Sequence, residues 1–210
     1  MQLLLVFPVG HNLFHCHQKY VPSGNGKATI MSQFVDRMIR AAKLDANLYE
    51  EVEADTSAMS QAMSVVVLSS LAGGVGFMHH AGFMGLVIGT VGALLGWFVW
   101  AFLTYLIGTK LLPEPQTHAD HGELLRTLGF SSAPGLIRVF AILPGLGAIV
   151  NFLAGAWMLV AMVIAVRQAL DYQSTYRAIG VCVIGWIVQA AIFGVLVAMM
   201  GELPAPLLTN

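Results

Sequence analysis

Residues 56–109 read TSAMSQAMSVVVLSSLAGGVGFMHHAGFMGLVIGTVGALLGWFVWAFLTYLIGT and contain no Asp, Glu, Lys or Arg. A membrane-spanning helix needs roughly 20 consecutive apolar residues, so this run is long enough for two crossings. The Gly- and His-containing segment 73–82 divides the run where a turn between two helices would be needed. Two helices joined by a short turn satisfy their own backbone hydrogen bonds in lipid. The stretch therefore predicts a helical hairpin inside a membrane.

The composition of the whole chain agrees with a membrane location. Hydrophobic residues make up 57% and charged residues 10%, whereas soluble domains carry about 25% charged residues. Ten Lys and Arg are scattered without a basic cluster, so we expect no nucleic-acid partner. Cys16 and Cys182 cannot define a disulfide framework. We predict one integral membrane domain whose main partner is the lipid bilayer.

The hydropathy pattern predicts an all-α polytopic membrane protein with five transmembrane helices and an amino-terminal amphipathic interfacial helix. The membrane domain covers residues 59–201, with spans at 59–78, 83–107, 124–143, 146–166 and 178–200. If the amino end is inside, the inner segments hold seven positive residues: Arg37, Arg40, Lys43, Lys110, Arg126, Arg167 and Arg177. The outer turns hold none. The positive-inside rule thus predicts a cytoplasmic amino terminus and an external tail at 202–210, in the inner or plasma membrane if the source is prokaryotic.

Residues 1–30 do not fit the predicted membrane topology. They lack the positive region of a signal peptide, and their apolar stretch is too short to span. We expect them to be a leader outside the fold, either disordered or added by a mis-annotated start, with translation beginning at Met31.

Two groups of side chains suggest metal ligands, namely His11, His15, Cys16 and His17, and later His118, Asp120 and His121. Nothing near the first group completes a ligand set with ordinary spacing, and the second group lies in a polar loop that we expect to be solvated, so we expect no metal and no cofactor.

Residues 31–58 are predicted to form the cytosolic amphipathic region, with one helix at 32–55. Apolar residues approximate one face of that helix, and basic residues precede an acidic run at its end. Two interpretations remain open. The helix lies on the bilayer surface before the first span, which we favour, or its acidic end is a docking surface for a partner.

The second span carries glycines at steps of four, three and four residues: Gly85, Gly89, Gly92 and Gly96. These steps keep the glycines on one helical face, where they form two G-x-x-x-G units that allow close helix packing. The neighbouring helix belongs either to the same chain, which we favour, or to another subunit. Self-association or a membrane-protein partner would use this glycine face.

The sequence contains no phosphate-binding loop, nucleophile elbow or zinc-protease motif, so we do not expect an enzyme. Its spans contain no carboxylate, which argues against an ordinary proton-coupled carrier. Apart from Arg126 at the inner end of the third span, Arg138 is the single charged residue within a span. It either snorkels to the headgroups or joins an intramembrane polar cluster with Asn151, Gln189 and Thr90, which would couple spans three and four or bind a ligand.

Residues 124–136, LLRTLGFSSAPGL, resemble the Gly-Phe/Tyr-x-x-Ala-Pro segment of the Yip family (Ypt/Rab-interacting proteins). The matching motif residues are Gly129, Phe130, Ala133, Pro134, Pro144, Gly145 and Trp157. The resemblance covers about residues 31–201. Residues 48–53, followed by Gln61 and Ala62, are similar to the prokaryotic members, whose biochemical role is not settled.

The resemblance implies a five-span fold and a non-enzymatic scaffold or adaptor in membrane organisation or trafficking. Eukaryotic relatives engage prenylated Rab GTPases through a long cytosolic amino-terminal region. This sequence lacks such a region, so we do not expect GTPase binding. The alternative function is a permease-like protein or transporter accessory subunit that handles a lipid or a small anionic substrate.

Overall fold

The structure is a computed structural model that describes residues 26–75, 78–143 and 145–201. Every regular element in these ranges is helical, which confirms the predicted all-α class. The predictions about the His/Cys cluster at 11–17, about Pro144 and about the tail at 202–210 lie outside the described residues. So does most of the predicted leader at 1–30, although helix α1 begins at Gly26, ahead of Met31.

The predicted single helix at 32–55 is two helices, α1 at Gly26–Ala42 and α2 at Ala46–Ala54. The chain breaks at Leu44, whose φ of 63° lies in the left-handed region. The Asp45 side chain then accepts a hydrogen bond from the Asn47 backbone N–H and caps α2. Because a local side-chain cap competes with helix continuation, the amphipathic segment folds back on itself.

Four longer helices form the apolar bundle: α3 at Met59–Val75, α4 at Met78–Leu106, α6 at Gly147–Ala169 and α7 at Thr175–Gly201. Helix α4 bends at Gly82, whose φ of 61° suits glycine, and it continues into a π-helical turn at Ile107–Leu111. In the described part of the chain, three segments are long and apolar enough to cross a membrane: Gly82–Leu111, Gly147–Ala169 and Thr175–Ile192.

The predicted third span at 124–143 is not one α-helix. Helix α5 covers His121–Phe130, and a 3-10 segment follows at Ala133–Ile142. Pro134 explains the break, because proline has no N–H to donate and its ring clashes with the carbonyl four residues earlier. Helix α3, the predicted first span, has 17 residues. The structure thus supplies three candidate spans where the sequence predicts five.

Helix α5 is the central element of the fold. It packs against α2, α3, α4 and α6, and all residues from Leu124 to Ser131 are buried. Gly129 sits so close to α3 that a Cβ added there would lie 2.7 Å from the Ala62 Cβ. The close contact between α5 and α3 therefore requires glycine at this position.

Large apolar side chains cover the outside of the bundle. Phe83 on α4, Phe152 on α6 and Ile187 on α7 are 74%, 75% and 64% exposed. Soluble proteins rarely expose contiguous apolar patches of this kind. We call this surface of α4, α6 and α7 the apolar belt. It indicates contact with lipid chains.

Replacing Gly129 by Ala should destabilise the fold, because the new methyl group would collide with Ala62. We expect a loss of about 1–3 kcal/mol, the usual cost of overpacking a well-packed core. The measurement is thermal unfolding in mild detergent, followed by circular dichroism. Gly92→Ala is the matched control, since a Cβ at Gly92 meets no described neighbour within 4 Å. Equal melting temperatures for both variants would contradict the proposed α5–α3 contact.

Candidate functional site

The charged segments of the chain meet at one end of the bundle. The Tyr172 hydroxyl lies 2.9 Å from the Gly108 carbonyl oxygen and 2.8 Å from that of Leu112. The Gln168 side chain donates to the Glu50 carboxylate at 2.8 Å. These contacts join the α1–α2 pair, the chain after α4 and the turn between α6 and α7. We call this end of the molecule the charged end.

Arg37 fixes α1 to the rest of the charged end. Its guanidinium donates to Glu51 at 2.9 Å, to Asp55 at 2.8 Å and to Gln61 at 3.0 Å. Arg37 is only 3% exposed. A guanidinium holds its donors in a rigid fork, so one residue can set the relative positions of several partners. Arg37 therefore ties α1 to α2 and to the first turn of α3.

Arg40 strengthens the same cluster from the next turn of α1. It pairs with Asp45 at 2.9 Å and also with Glu51. Burial by itself raises the pKa of Glu51, but hydrogen bonds from Arg40 and Arg37 outweigh it and leave that pKa below its ordinary value. Glu51 therefore stays ionised and keeps both ion pairs near neutral pH.

Arg126 caps the carboxyl end of α2 from within α5. Its Nε donates to the Val52 carbonyl at 2.9 Å, and its Nη2 donates to the Glu53 carbonyl. The last carbonyls of a helix have no partner inside the helix and carry partial negative charge, so a cation suits this position. Arg126 is 5% exposed, and its charge is satisfied by backbone oxygens.

Glu53 lies beside this cap in a crowded acidic environment. Burial raises its pKa, and so do the nearby carboxylates of Glu123, Asp171 and Glu50, while Arg126 opposes them. The resulting pKa is about 7, against an ordinary 4.5. Glu53 is therefore the carboxyl of the charged end that changes protonation near neutral pH.

Two cavities open within the apolar part of the bundle. The large cavity has a volume of about 820 Å³ and walls from α3, α4, α5, the 3-10 segment, α6 and α7. The small cavity has a volume of about 290 Å³ and lies between α3, α4, the 3-10 segment and the start of α6. Ser70 and Arg138 line both cavities. A volume of several hundred cubic ångström is typical of a ligand site.

Arg138 is the one charged residue in the apolar part of the bundle, which comprises residues 59–106, 133–166 and 178–201. Its side chain lies against Gly73, where an added Cβ would be 3.5 Å from the arginine Cδ. Three buried polar atoms near the large cavity find no hydrogen-bond partner among the described residues: Arg138 Nε, Gln189 Oε1 and Trp100 Nε1. Buried polar groups normally have a partner, so this cavity can accept polar atoms of a ligand.

The four residues of the predicted polar cluster do not all line one cavity. Gln189 shares the large cavity with Arg138, and Asn151 shares the small one. Asn151 donates to the Gly147 carbonyl of its own helix at 2.9 Å, and Thr90 donates to the Leu86 carbonyl of its own helix. Within the described residues Arg138 makes no hydrogen bond to Asn151. The coupling of spans three and four through Arg138 and Asn151 stays a prediction.

The glycine face of α4 has free space beside it. A Cβ added at Gly89, Gly92 or Gly96 would meet no described neighbour within 4 Å. Whether the helix that packs on these glycines belongs to the same chain or to another subunit stays a prediction. Gly85 and Gly89 line the small cavity, and Gly96 lines the large one. This face of α4 is open.

Comparison with known proteins agrees with this arrangement of apolar helices. Residues 48–199 match the family model of the Yip1 domain, which covers more than two thirds of the chain. The chain belongs to the Yip1 family. The predicted family is confirmed, and the chain is an integral membrane protein. No curated protein and no solved structure matches the sequence.

Gly129, Phe130, Ala133 and Pro134 of the Yip motif lie at the junction of α5 and the 3-10 segment. Phe130 and Ala133 are 0% and 2% exposed, and Pro134 is buried beside them. Gly145 has a φ of 81° in the turn before α6, whereas Trp157 is partly exposed on the surface of α6. The motif therefore positions α5 in the core.

In the group His118, Asp120 and His121, the last two residues make contacts within this Yip1-family chain. Asp120 caps α5 in a capping box with Glu123, and the His121 ring packs edge-on against Phe98 and Phe102. No group of three or more His, Cys, Asp or Glu side chains is placed to hold a metal in the ranges that the structure describes.

Replacing Glu53 by Gln should stabilise the protein at pH 8. Between pH 4.5 and about 7 the folded chain keeps a proton that the unfolded chain has lost. Its free energy of unfolding therefore falls as the pH rises through this window. Because Gln cannot ionise, we expect the melting temperature of the variant to exceed that of the parent by about 2 °C at pH 8, with little difference at pH 4.5.

The measurement is thermal unfolding in detergent at several pH values from 4.5 to 8. Asp36→Asn is the charge-matched control, because Asp36 is exposed and makes only a 3.9 Å ion pair with Arg40. If the Glu53→Gln variant had the same melting temperature as the parent at every pH, the assigned titration of Glu53 would be disproved.

Proposed function

We propose that this Yip1-family protein is a non-enzymatic membrane adaptor that associates with another transmembrane helix. The open glycine face of α4 carries this proposal. Gly89, Gly92 and Gly96 have no described neighbour, and glycines at this spacing let two helices approach closely in lipid. The partner helix comes from a second copy of the chain or from another integral membrane protein.

The proposal includes five membrane crossings. Helix α3 with 17 residues reaches about 26 Å, at the lower end of the range for a span. Helix α5 and the 3-10 segment have ten residues each and together reach about 35 Å. Broken helices occur at membrane depth where protein covers them, and residues 124–135 are almost all buried.

The α1–α2 pair is proposed to lie at the cytoplasmic surface of the membrane. Phe34 and Met38 pack towards the core, whereas Ile30, Met31, Val35 and Ile39 of the same helix are exposed. These exposed apolar side chains suit insertion among headgroups and support the interfacial position over the alternative of a protein-docking surface. The Arg37 ion pairs hold the helix at that position.

The two ends of the membrane domain should lie on opposite sides of the bilayer. The charged end faces the cytoplasm by the positive-inside rule, and five crossings place the end of α7 outside. The test attaches a reporter active only in the cytoplasm, and a second one active only outside, to each terminus of the full chain. Activity of the same reporter at both termini would overturn the five-span proposal.

Gly92→Leu should disrupt the proposed association without disturbing the fold. A Cβ at this position meets no described neighbour within 4 Å, and the leucine side chain would prevent close approach of a second helix. We expect at least a roughly tenfold drop in association, equivalent to about 1.4 kcal/mol. The readouts are energy transfer between labelled copies in vesicles and stoichiometric co-purification of an integral membrane partner.

Gly194→Leu is the matched control, because Gly194 on α7 is also open and lies outside the glycine face. The control should associate like the parent, and both variants should keep the parental melting temperature. If Gly92→Leu changes neither readout, the glycine face is not an interface and the adaptor proposal fails.

The large cavity favours a second candidate function. A permease-like protein or transporter accessory subunit needs a ligand site within the membrane, and Arg138 lines a cavity of about 820 Å³. A lipid or small anion retained through purification, without a protein partner, would support this function over the adaptor.

A further inference from the structure

The walls of the large cavity are mostly apolar and rich in large side chains. Trp97, Trp100, Trp186, Met158 and Met162 line it. The Trp97 indole N–H donates to the Leu125 carbonyl at 3.1 Å, which fixes that ring. The Trp100 ring lies over Gly185, where an added Cβ would be 3.0 Å away. These walls suit an acyl chain or another elongated apolar group.

The polar part of the cavity has positive charge that no described residue neutralises. Arg138 has no ion pair in the described part of the chain, and no Asp or Glu occurs in the apolar part of the bundle. Gln189 Oε1 and Trp100 Nε1 also lack partners there. The Arg138 side chain is half-buried and its Nε is enclosed without a partner, which is costly; a phosphate or carboxylate would satisfy the guanidinium through paired hydrogen bonds.

The cavity is open towards the apolar belt. Leu159 on α6 and Trp186 on α7 both line it, and they are 37% and 50% exposed. A ligand can therefore enter sideways from the lipid phase. A soluble anion would have to pass through apolar surroundings to reach Arg138, so a component of the bilayer is favoured.

We propose that the large cavity binds one anionic phospholipid of the surrounding bilayer. The phosphate contacts the Arg138 guanidinium, and one acyl chain lies along the three tryptophans. The volume of about 820 Å³ lies within the usual range for ligand sites, about 300–1,000 Å³. This inference depends on the membrane placement proposed above, but not on the glycine interface.

Quenching of tryptophan fluorescence by brominated lipids tests the proposal on the full chain. The Trp157→Phe background removes the tryptophan outside the cavity, so the emission comes from Trp97, Trp100 and Trp186. The protein is reconstituted in phosphatidylcholine vesicles with increasing fractions of brominated phosphatidylglycerol or brominated phosphatidylcholine. We expect phosphatidylglycerol to quench at an about tenfold lower fraction, the effect of one charge-assisted hydrogen-bond pair.

Arg138→Gln should abolish this headgroup preference, whereas Arg138→Lys should retain part of it because the charge remains. Arg177→Gln is the control, since Arg177 lies at the charged end and contacts the Pro113 carbonyl. If Arg138→Gln does not fold, native mass spectrometry of the parent decides instead. The parent should retain one phosphatidylglycerol after detergent exchange from mixed lipid, in preference to phosphatidylcholine.

Each alternative outcome has a distinct meaning. No quenching by either lipid would contradict the membrane placement itself. Equal quenching by both headgroups, or an unchanged preference in Arg138→Gln, would overturn the phospholipid site while leaving the membrane fold intact. Stronger quenching by a brominated fatty acid, or displacement of the lipid by inorganic phosphate alone, would also overturn it, because the preferred ligand would then be a different anion.

Discussion

The fold depends on the close approach of α5 to α3 at Gly129. The glycine leaves no space for a side chain beside Ala62, and the surrounding residues 124–131 are all buried. Because α5 also touches α2, α4 and α6, this contact sets the position of most other helices. The interrupted backbone after α5 is almost all covered by protein, and a broken helix is tolerated at membrane depth under that condition.

The charges of the buried residues Arg37 and Arg126 are neutralised or hydrogen-bonded in two different ways. Arg37 is surrounded by carboxylates and an amide, and Arg126 by backbone carbonyls at the end of α2. Both charges are therefore matched within the chain, as a structural role requires. Arg138 differs because no described group matches its charge. This contrast separates the arginines that hold the charged end together from the one that lines a cavity.

The sequence singles out Arg138, because a charged residue in an apolar span is rare and costly, and it puts Gln189 in the same predicted polar cluster. The roles of Arg37 and Arg126 could not be read from the sequence. Arg126 reaches the carbonyls of Val52 and Glu53 across more than 70 residues, and no local pattern encodes a contact at such separation. The sequence also does not indicate that three tryptophans line a cavity, because aromatic residues are common in apolar helices.

The sequence by itself determined that the chain is helical, that it is an integral membrane protein and that it belongs to the Yip1 family. These properties follow from composition, from long apolar runs and from a short motif, all of which are local. The tertiary structure decided that residues 32–55 fold back as two helices, and that the segment after α5 is a 3-10 helix. It also decided that no described helix packs closely on Gly89, Gly92 and Gly96 of α4. Periodicity shows that residues share one face of a helix, whereas only the packing of all helices decides what that face contacts.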